Sequence, residues 1–221
     1  VSAIKLLILD DQEGVGVGLK YMILDHSTID VTYRKTCLRE EVMELYQNFD
    51  VFLIALNRSS HQGLETALEL LNIDPQANII LLTDYDFTEH FNFFIELGFT
   101  AFISKSSSSR QLMRAIECVI DGEVVLPQSL LPQLRKQDVR ITEDGHNIDL
   151  TEIESKIICY LACLLSTEQI AYQLHMSKRN VERYLTSIFD KLGVASRSEV
   201  LDKCKQLGII PEALLQTEAV F

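Results

Sequence analysis

The sequence predicts an α/β fold built on a five-stranded parallel sheet, followed by an all-α unit of four helices. Three features predict it. Residues 1 to 121 alternate short apolar runs with amphipathic helical stretches, the mark of a parallel sheet with helices on both faces. Residues 122 to 147 hold Pro127, Pro132, Gly145 and mixed charges, and read as a linker with a short helix around Ser129 to Lys136. From Leu150 onward the apolar residues recur at helical spacing only.

The first run, Ile4-Lys5-Leu6-Leu7-Ile8-Leu9, is nearly continuous in apolar residues and too short for a helix, so it reads as a buried strand over 4–10. The same reasoning places strands near 30–34, 51–56, 78–83 and 100–104, with helices near 13–25, 38–47, 62–72, 87–97 and 107–121. Five strands and five helices in alternation fit a flavodoxin-like order. The serines 106–109 suit the cap of the last of these helices. Gly14-Val15-Gly16-Val17-Gly18 opens the first helix, but its spacing is not GxGxxG, no lysine-serine pair follows, and Asp10-Asp11 would repel a pyrophosphate. Three glycines there cost roughly 1 kcal/mol each relative to alanine, which implies a soft helix or close packing against a neighbour. In the helix 87–97, Phe91, Phe94 and Ile95 share one face, while Phe93 points away from it. Phe93 reads either as a singly exposed phenylalanine or as part of an interaction surface, with a homodimer the first candidate.

Side chains able to accept from free backbone amides mark the starts of the C-terminal helices. Thr151 with Glu154, and Ser166 with Gln169, match capping boxes, and Ser177 is a good N-cap. The expected apolar stripes are Ile153, Ile157, Ile158, Leu161 and Leu164 on the first helix, Ile170, Ala171 and Leu174 on the second, and Val181, Leu185, Ile188, Phe189 and Leu192 on the third. A fourth helix is expected from Ser196 to Leu207. The helical unit then spans 148–210, with 211–221 as a C-terminal tail.

With 221 residues, 47% of them apolar, the chain can bury one large core or two smaller ones. No apolar run is long enough for a membrane span, and Asp10-Asp11 cuts off the first run before it resembles a signal peptide, so a soluble cytoplasmic protein is expected. Cys37, Cys118, Cys159, Cys163 and Cys204 show no CxxC spacing and no histidine at ligand spacing, and read as reduced thiols in or near cores. The formal charge of −12 argues against non-specific nucleic-acid affinity. Within Ser177 to Lys205, however, Lys178, Arg179, Arg183, Lys191, Arg197, Lys203 and Lys205 outnumber the acidic residues, giving that segment alone the footprint of a phosphate-backbone contact.

Four expected strand ends carry Asp10-Asp11, Ala55, Thr83 and Lys105, and in a doubly wound sheet such ends share one crevice. Two carboxylates suit a hard divalent cation, and a hydroxyl with an ammonium suits phosphoryl oxygens; only a nucleophile is missing. The pattern resembles the receiver domain of bacterial response regulators. That resemblance puts Ala55 at the phospho-acceptor position, where a methyl group forms no acyl phosphate. It implies a magnesium site, weakened by the missing carboxylate, at Asp10, Asp11 and the carbonyl of Asn57. It makes Thr83 and Lys105 the phosphoryl readers and Phe102 an aromatic switch. Lys105, deprived of its usual partner, is expected to pair with Asp10 or Asp11.

The second and third C-terminal helices, joined through His175-Met176, form a helix-turn-helix. The wording Leu150-Thr151-x-x-Glu154, Ile170-Ala171-x-x-Leu174-x-x-Ser177, Val181 and Lys191-Leu192-Gly193-Val194-x-Ser196-Arg197 resembles the LuxR/NarL-type DNA-binding domain. Leu174 to Arg179 and Leu185 to Phe189 look most like its ComA branch. Leu164, Gln169 and Tyr184 depart from the usual glycine, glutamate and histidine. The apolar stripe leaves Lys178, Arg179, Glu182, Arg183, Thr186 and Ser187 outward; the resemblance implies base contacts from Glu182, Arg183 and Thr186, and Lys178, Arg179 and Lys191 suit phosphates. Together the two resemblances imply a response-regulator transcription factor that binds promoter DNA as a dimer and is not an enzyme. Two accounts of Ala55 stand: a natural pseudo-receiver, or an engineered replacement of an aspartate, in which case a sensor histidine kinase is a partner. The rival reading is an interaction or ligand-sensing module whose C-terminal domain binds a protein rather than DNA.

Overall fold

Short apolar runs form the strands of the sheet, and the amphipathic stretches between them form its helices. The structure, a computed structural model, describes residues 3–24, 28–35, 37–57, 62–83, 91–128, 141–143 and 146–210. The expected helix around Ser129 to Lys136 and the expected tail 211–221 lie outside the described residues. Two units emerge, Val1–Asp86 with Gly98–Gln128, and Phe87–Leu97 with Ser129–Phe221. The boundary at 128/129 falls inside the expected linker.

In the first unit, β1 (Ile4–Leu9), β2 (Ile29–Arg34), β3 (Val51–Leu56), β4 (Ile79–Thr83) and β5 (Phe102–Ser104) form one sheet in the order β2-β1-β3-β4-β5. Every neighbouring pair is parallel. The chain runs from β1 outward to β2 and then back across to β3, so the strand order reverses between β1 and β3, where such sheets bind ligands. Leu9 pairs with Ile54, Ala55 with Leu82, and Thr83 with Ser104. That register brings Asp10, Ala55, Thr83 and Lys105 to the same end of the sheet, each within a residue or two of its neighbour's level. All six residues of β3 are buried, as a strand covered on both faces requires.

Helices α1 (Glu13–Ile23), α2 (Val42–Asn48), α3 (Gln62–Ile73) and α5 (Ser109–Ile120) flank the sheet, and α4 (Phe91–Glu96) lies between β4 and β5 in the chain. A 3-10 turn, Arg39–Glu41, precedes α2, where the sequence suggests one helix from residue 38. Ser108 starts α5 in a capping box with Gln111, as the serine run leads one to expect. Val125 sits in the expected linker but pairs with Ala101 and accepts from the Phe102 amide at 3.0 Å, which covers the β5 edge.

The second unit holds α4, an antiparallel hairpin of β6 (Ile141–Glu143) and β7 (His146–Ile148), and the helices α6 (Glu152–Ala162), α7 (Thr167–Gln173), α8 (Lys178–Leu192) and α9 (Arg197–Gln206). The antiparallel pairing of β6 and β7 lies within the stretch expected as linker, where the sequence reading placed no strand. The Thr151 and Ser166 capping boxes and the Ser177 cap all form. Two expected stripe residues do not pack: Ile153 and Leu164 are exposed, and Leu164 lies beyond α6 with φ +59°. That backbone is why glycine is the ordinary residue there. Phe93 also needs correcting. It is 2% exposed and edge-on to Phe94, with ring centroids 5.0 Å apart, in a helix that packs against α6. Phe93 therefore adds no exposed apolar area to this helix.

Candidate functional site

The crevice at the β1/β3 switch is built from side chains that the strand ends deliver side by side. Asp10, just past β1, is buried. Its Oδ1 accepts from the Gln12 amide at 3.0 Å and from Asn57 Nδ2 at 2.9 Å, and its Oδ2 accepts from Lys105 Nζ at 3.0 Å. Lys105 Nζ also donates to Asn57 Oδ1 at 2.6 Å, and Asn57 Nδ2 donates a second bond to Asp11 Oδ1. The side chains of the Asp10–Lys105 pair are 0% and 5% exposed. Lys105 has therefore turned to Asp10, one of the two partners expected for it.

Tyr33 closes the β2 side. Its hydroxyl donates to the Asp10 carbonyl at 2.9 Å, and burial first, then the carboxylates of Glu13, Asp10 and Asp11, push the phenol's pKa up. A Cβ on Gly16 would lie 2.2 Å from the Tyr33 ring, so this glycine is needed for close packing rather than for a phosphate loop. Gly63 has the same role at β3, where a Cβ would stand 2.3 Å from the Ala55 carbonyl oxygen.

Ala55 itself lines the crevice together with Asp11, Lys35, Cys37, Asn57 and Thr66, and the space left is about 20 Å³. That volume admits about one water. Thr83 is buried at the adjacent strand end, and Lys105 donates its backbone N–H to the Thr83 carbonyl at 3.0 Å. Phe102 is buried as well. The nearby Cys37 thiol is pushed up to about 11 by burial and then by Glu41, so it offers no thiolate nucleophile at neutral pH. The donor set does not fit a hard cation in this arrangement. Both oxygens of Asp10 are already engaged, and an N–H donor stands between the two carboxylates where oxygen ligands should converge.

The other candidate site is the outer face of α8. Val181, Leu185, Ile188 and Leu192 are buried, which turns Lys178, Arg179, Glu182, Arg183 and Thr186 to solvent. Lys178 pairs with Glu168, both well exposed. Arg183 lies over the Tyr184 ring, 5.5 Å from its centroid, and the Thr186 hydroxyl donates to the Glu182 carbonyl at 3.1 Å.

Two residues expected on this face point elsewhere. Ser187 donates to Glu154 Oε1 at 2.7 Å, and Lys191 donates to Glu154 Oε2 at 2.6 Å and to the Asp149 carbonyl at 2.8 Å. Burial alone would raise the Glu154 carboxyl, but hydrogen bonds from Lys191, Ser187 and Thr151 hold it down at about 2. The sequence marked Glu154 as a cap; its second task, tying α6 to α8, carries no local signal.

Known proteins share both halves of this layout. Residues 149–204 match the bacterial regulatory proteins of the luxR family. The chain is 32% identical to transcriptional regulatory protein YdfI of Bacillus subtilis (strain 168) over 212 residues, 93% of this chain and 97% of that one. The chain belongs to the luxR-family response regulators. Transcriptional regulatory protein ComA of the same organism is 29% identical over 93% of this chain and 99% of its own. The RcsB response regulator of Salmonella typhimurium shares the fold, with a TM-score of 0.52 at 18% identity, over 94% of this chain and 99% of that one. Among the described residues of this luxR-family chain, no helix is long and apolar enough to cross a membrane, and no group of three histidine, cysteine or acidic side chains is placed to hold a metal.

Proposed function

We propose that this chain is a cytoplasmic transcription regulator that binds promoter DNA as a dimer through α8, and that its receiver takes no phosphoryl group at residue 55. Residues 1–121 serve as the receiver, 122–147 as the linker and 148–210 as the DNA-binding domain. The observation that carries the reading is the outer face of α8, where Lys178, Arg179, Glu182, Arg183 and Thr186 are all exposed above a fully buried stripe. On that face Arg183 can read guanine O6 and N7 bidentately and Glu182 can accept from cytosine N4, which favours a half-site containing G and C. Lys178 and Arg179, at the amino end of the helix, suit phosphates. Lys178 must first release Glu168. Ser187 and Lys191, held by Glu154, act by fixing α8 in place.

At the strand ends, the methyl of Ala55 supplies no oxygen for an acyl phosphate. The magnesium site at Asp10, Asp11 and the Asn57 carbonyl is not proposed, because the Asn57 carboxamide and Lys105 already engage the two carboxylates. If the natural residue is aspartate, a sensor histidine kinase is the partner that acts on it. Selection from a random DNA library at moderate salt tests the proposal: enrichment of a G- and C-containing half-site in two copies is expected. A library that emerges unenriched favours the protein-interaction reading instead. Acetyl phosphate should leave the mass of the chain unchanged, and a base-labile adduct in the receiver would overturn that half of the proposal.

A further inference from the structure

We infer that the Asn57 carboxamide holds the strand-end pocket in a metal-free state, standing in both for a divalent cation and for the acceptor carboxylate that Ala55 lacks. The inference rests on the reading that residue 55 takes no phosphoryl group. An amide has a donor end and an acceptor end, and here each meets its complement. The NH2 end reaches the carboxylates of Asp10 and Asp11, and the oxygen end reaches the Lys105 ammonium. The reversed amide would set N–H against the ammonium and a lone pair against two carboxylates, so the surrounding charges fix its orientation. One neutral group thus screens the two acids from each other, as a cation does. It also gives Lys105 an acceptor in place of a carboxylate at 55.

A divalent ion competing for the pocket must displace this arrangement. It needs about six oxygen ligands in near-octahedral array, several of them water, and the crevice leaves about 20 Å³. Asn57 must swing out and Lys105 must leave Asp10 before the acid pair is free to ligate. Asn57 is therefore a positioning residue that sets the cation affinity of the pocket. The sheet end keeps one geometry whether or not magnesium is present.

The test uses the full chain and manganese as the probe, with bound ion read by electron paramagnetic resonance. Wild type is expected to bind Mn2+ no more tightly than Asp10→Asn. Asn57→Ala, which removes both ends of the amide, is expected to bind at least about tenfold tighter than wild type, since the acid pair is then open. Asn57→Ser serves the same purpose if the alanine variant fails to fold. Wild type should also melt at the same temperature in magnesium and in chelator, a measurement that needs no variant. Manganese binding by wild type equal to that of Asn57→Ala or Asn57→Ser, or a magnesium-dependent melt of wild type, overturns the inference. Either result leaves the reading of Ala55 intact, because that reading fails only if acetyl phosphate forms an adduct.

Discussion

The strand-end pocket and the outer face of α8 are both clusters of charge, and they differ in where the partners lie. At the strand ends, Asp10, Asp11, Asn57 and Lys105 satisfy one another in a part-buried crevice around the buried Asp10. On α8, Arg179, Glu182 and Arg183 stand in water above a buried stripe. A charge cluster closed on itself contributes to the fold and resists ligands, whereas one left open contributes little to the fold and is ready for a partner. Glu154 shows the boundary within one helix. It draws Ser187 and Lys191 of α8 into the closed kind and leaves their neighbours open.

The largest expected effect breaks the closed cluster. Lys105→Ala leaves Asp10 buried without its counter-charge, and removing one partner of such a pair costs about 3 to 5 kcal/mol. Urea unfolding followed in the full chain should show an early transition of the sheet unit. Lys178→Ala removes an ion pair from an exposed site and should leave the unfolding midpoint where it is. Similar midpoint shifts in the two variants would erase the distinction between closed and open.

Next comes the pH response of Glu154. Its carboxyl sits at about 2 in the fold against an ordinary 4.5, and a folded value below the unfolded one stabilises the native state at higher pH. That contribution, about 3 kcal/mol, is complete above about pH 5 and is lost as pH falls toward 2. In Glu154→Gln the acid limb of the helical unit's stability should flatten over that window. An unchanged acid limb would mean that Glu154 is not the group that titrates.

The strand ends and the helix caps were legible because each is a local rule. Asp10, Ala55, Thr83 and Lys105 follow apolar runs, and Thr151, Ser166 and Ser177 precede amphipathic ones; both patterns lie within a few residues of one another. The partners that decide chemistry were not legible. Asn57 could be placed near the acid pair, yet nothing in its neighbourhood says that its side-chain amide bridges both acids and Lys105. Ser187 and Lys191 lie outward on a helical wheel, and only the packing of α6 on α8 brings Glu154 beneath them. Phe93 is buried against that expectation for the same reason, since a wheel read along α4 alone does not include its packing against α6. Leu164 departs from the usual glycine, and its φ of +59° gives that departure its physical meaning.

The open cluster is tested through DNA. Arg183→Ala should weaken specific binding by about 1 to 3 kcal/mol and relax preference at one base pair, as loss of a bidentate guanine contact does. Lys178→Ala should weaken all sequences alike and flatten the salt dependence, because it releases one fewer counterion. Binding isotherms for a selected site and for random DNA across a salt series separate the two. Uniform weakening by Arg183→Ala would move that residue from base reading to backbone contact.

The smallest expected effect draws the same line inside α1. Gly16 and Gly18 are two residues apart on one helix, but Gly16 is buried against Tyr33, whose hydroxyl holds the Asp10 carbonyl, and Gly18 faces open space. Alanine at 18 should raise stability by about 1 kcal/mol, since the helix gains propensity and the new methyl meets nothing. Alanine at 16 gains the same propensity but drives a methyl to 2.2 Å from the Tyr33 ring, so the ring must shift. Its net effect should be destabilising, because overpacking costs typically about 1 to 3 kcal/mol. The displaced Tyr33 hydroxyl would then weaken its bond to Asp10, which ultraviolet titration of the tyrosines reads directly: the phenol that burial and nearby carboxylates hold high should fall toward its ordinary value in Gly16→Ala and stay high in Gly18→Ala. Equal stabilisation by both alanines would show that the pocket does not extend through Tyr33 to α1, and that the closed cluster ends at the strand tips.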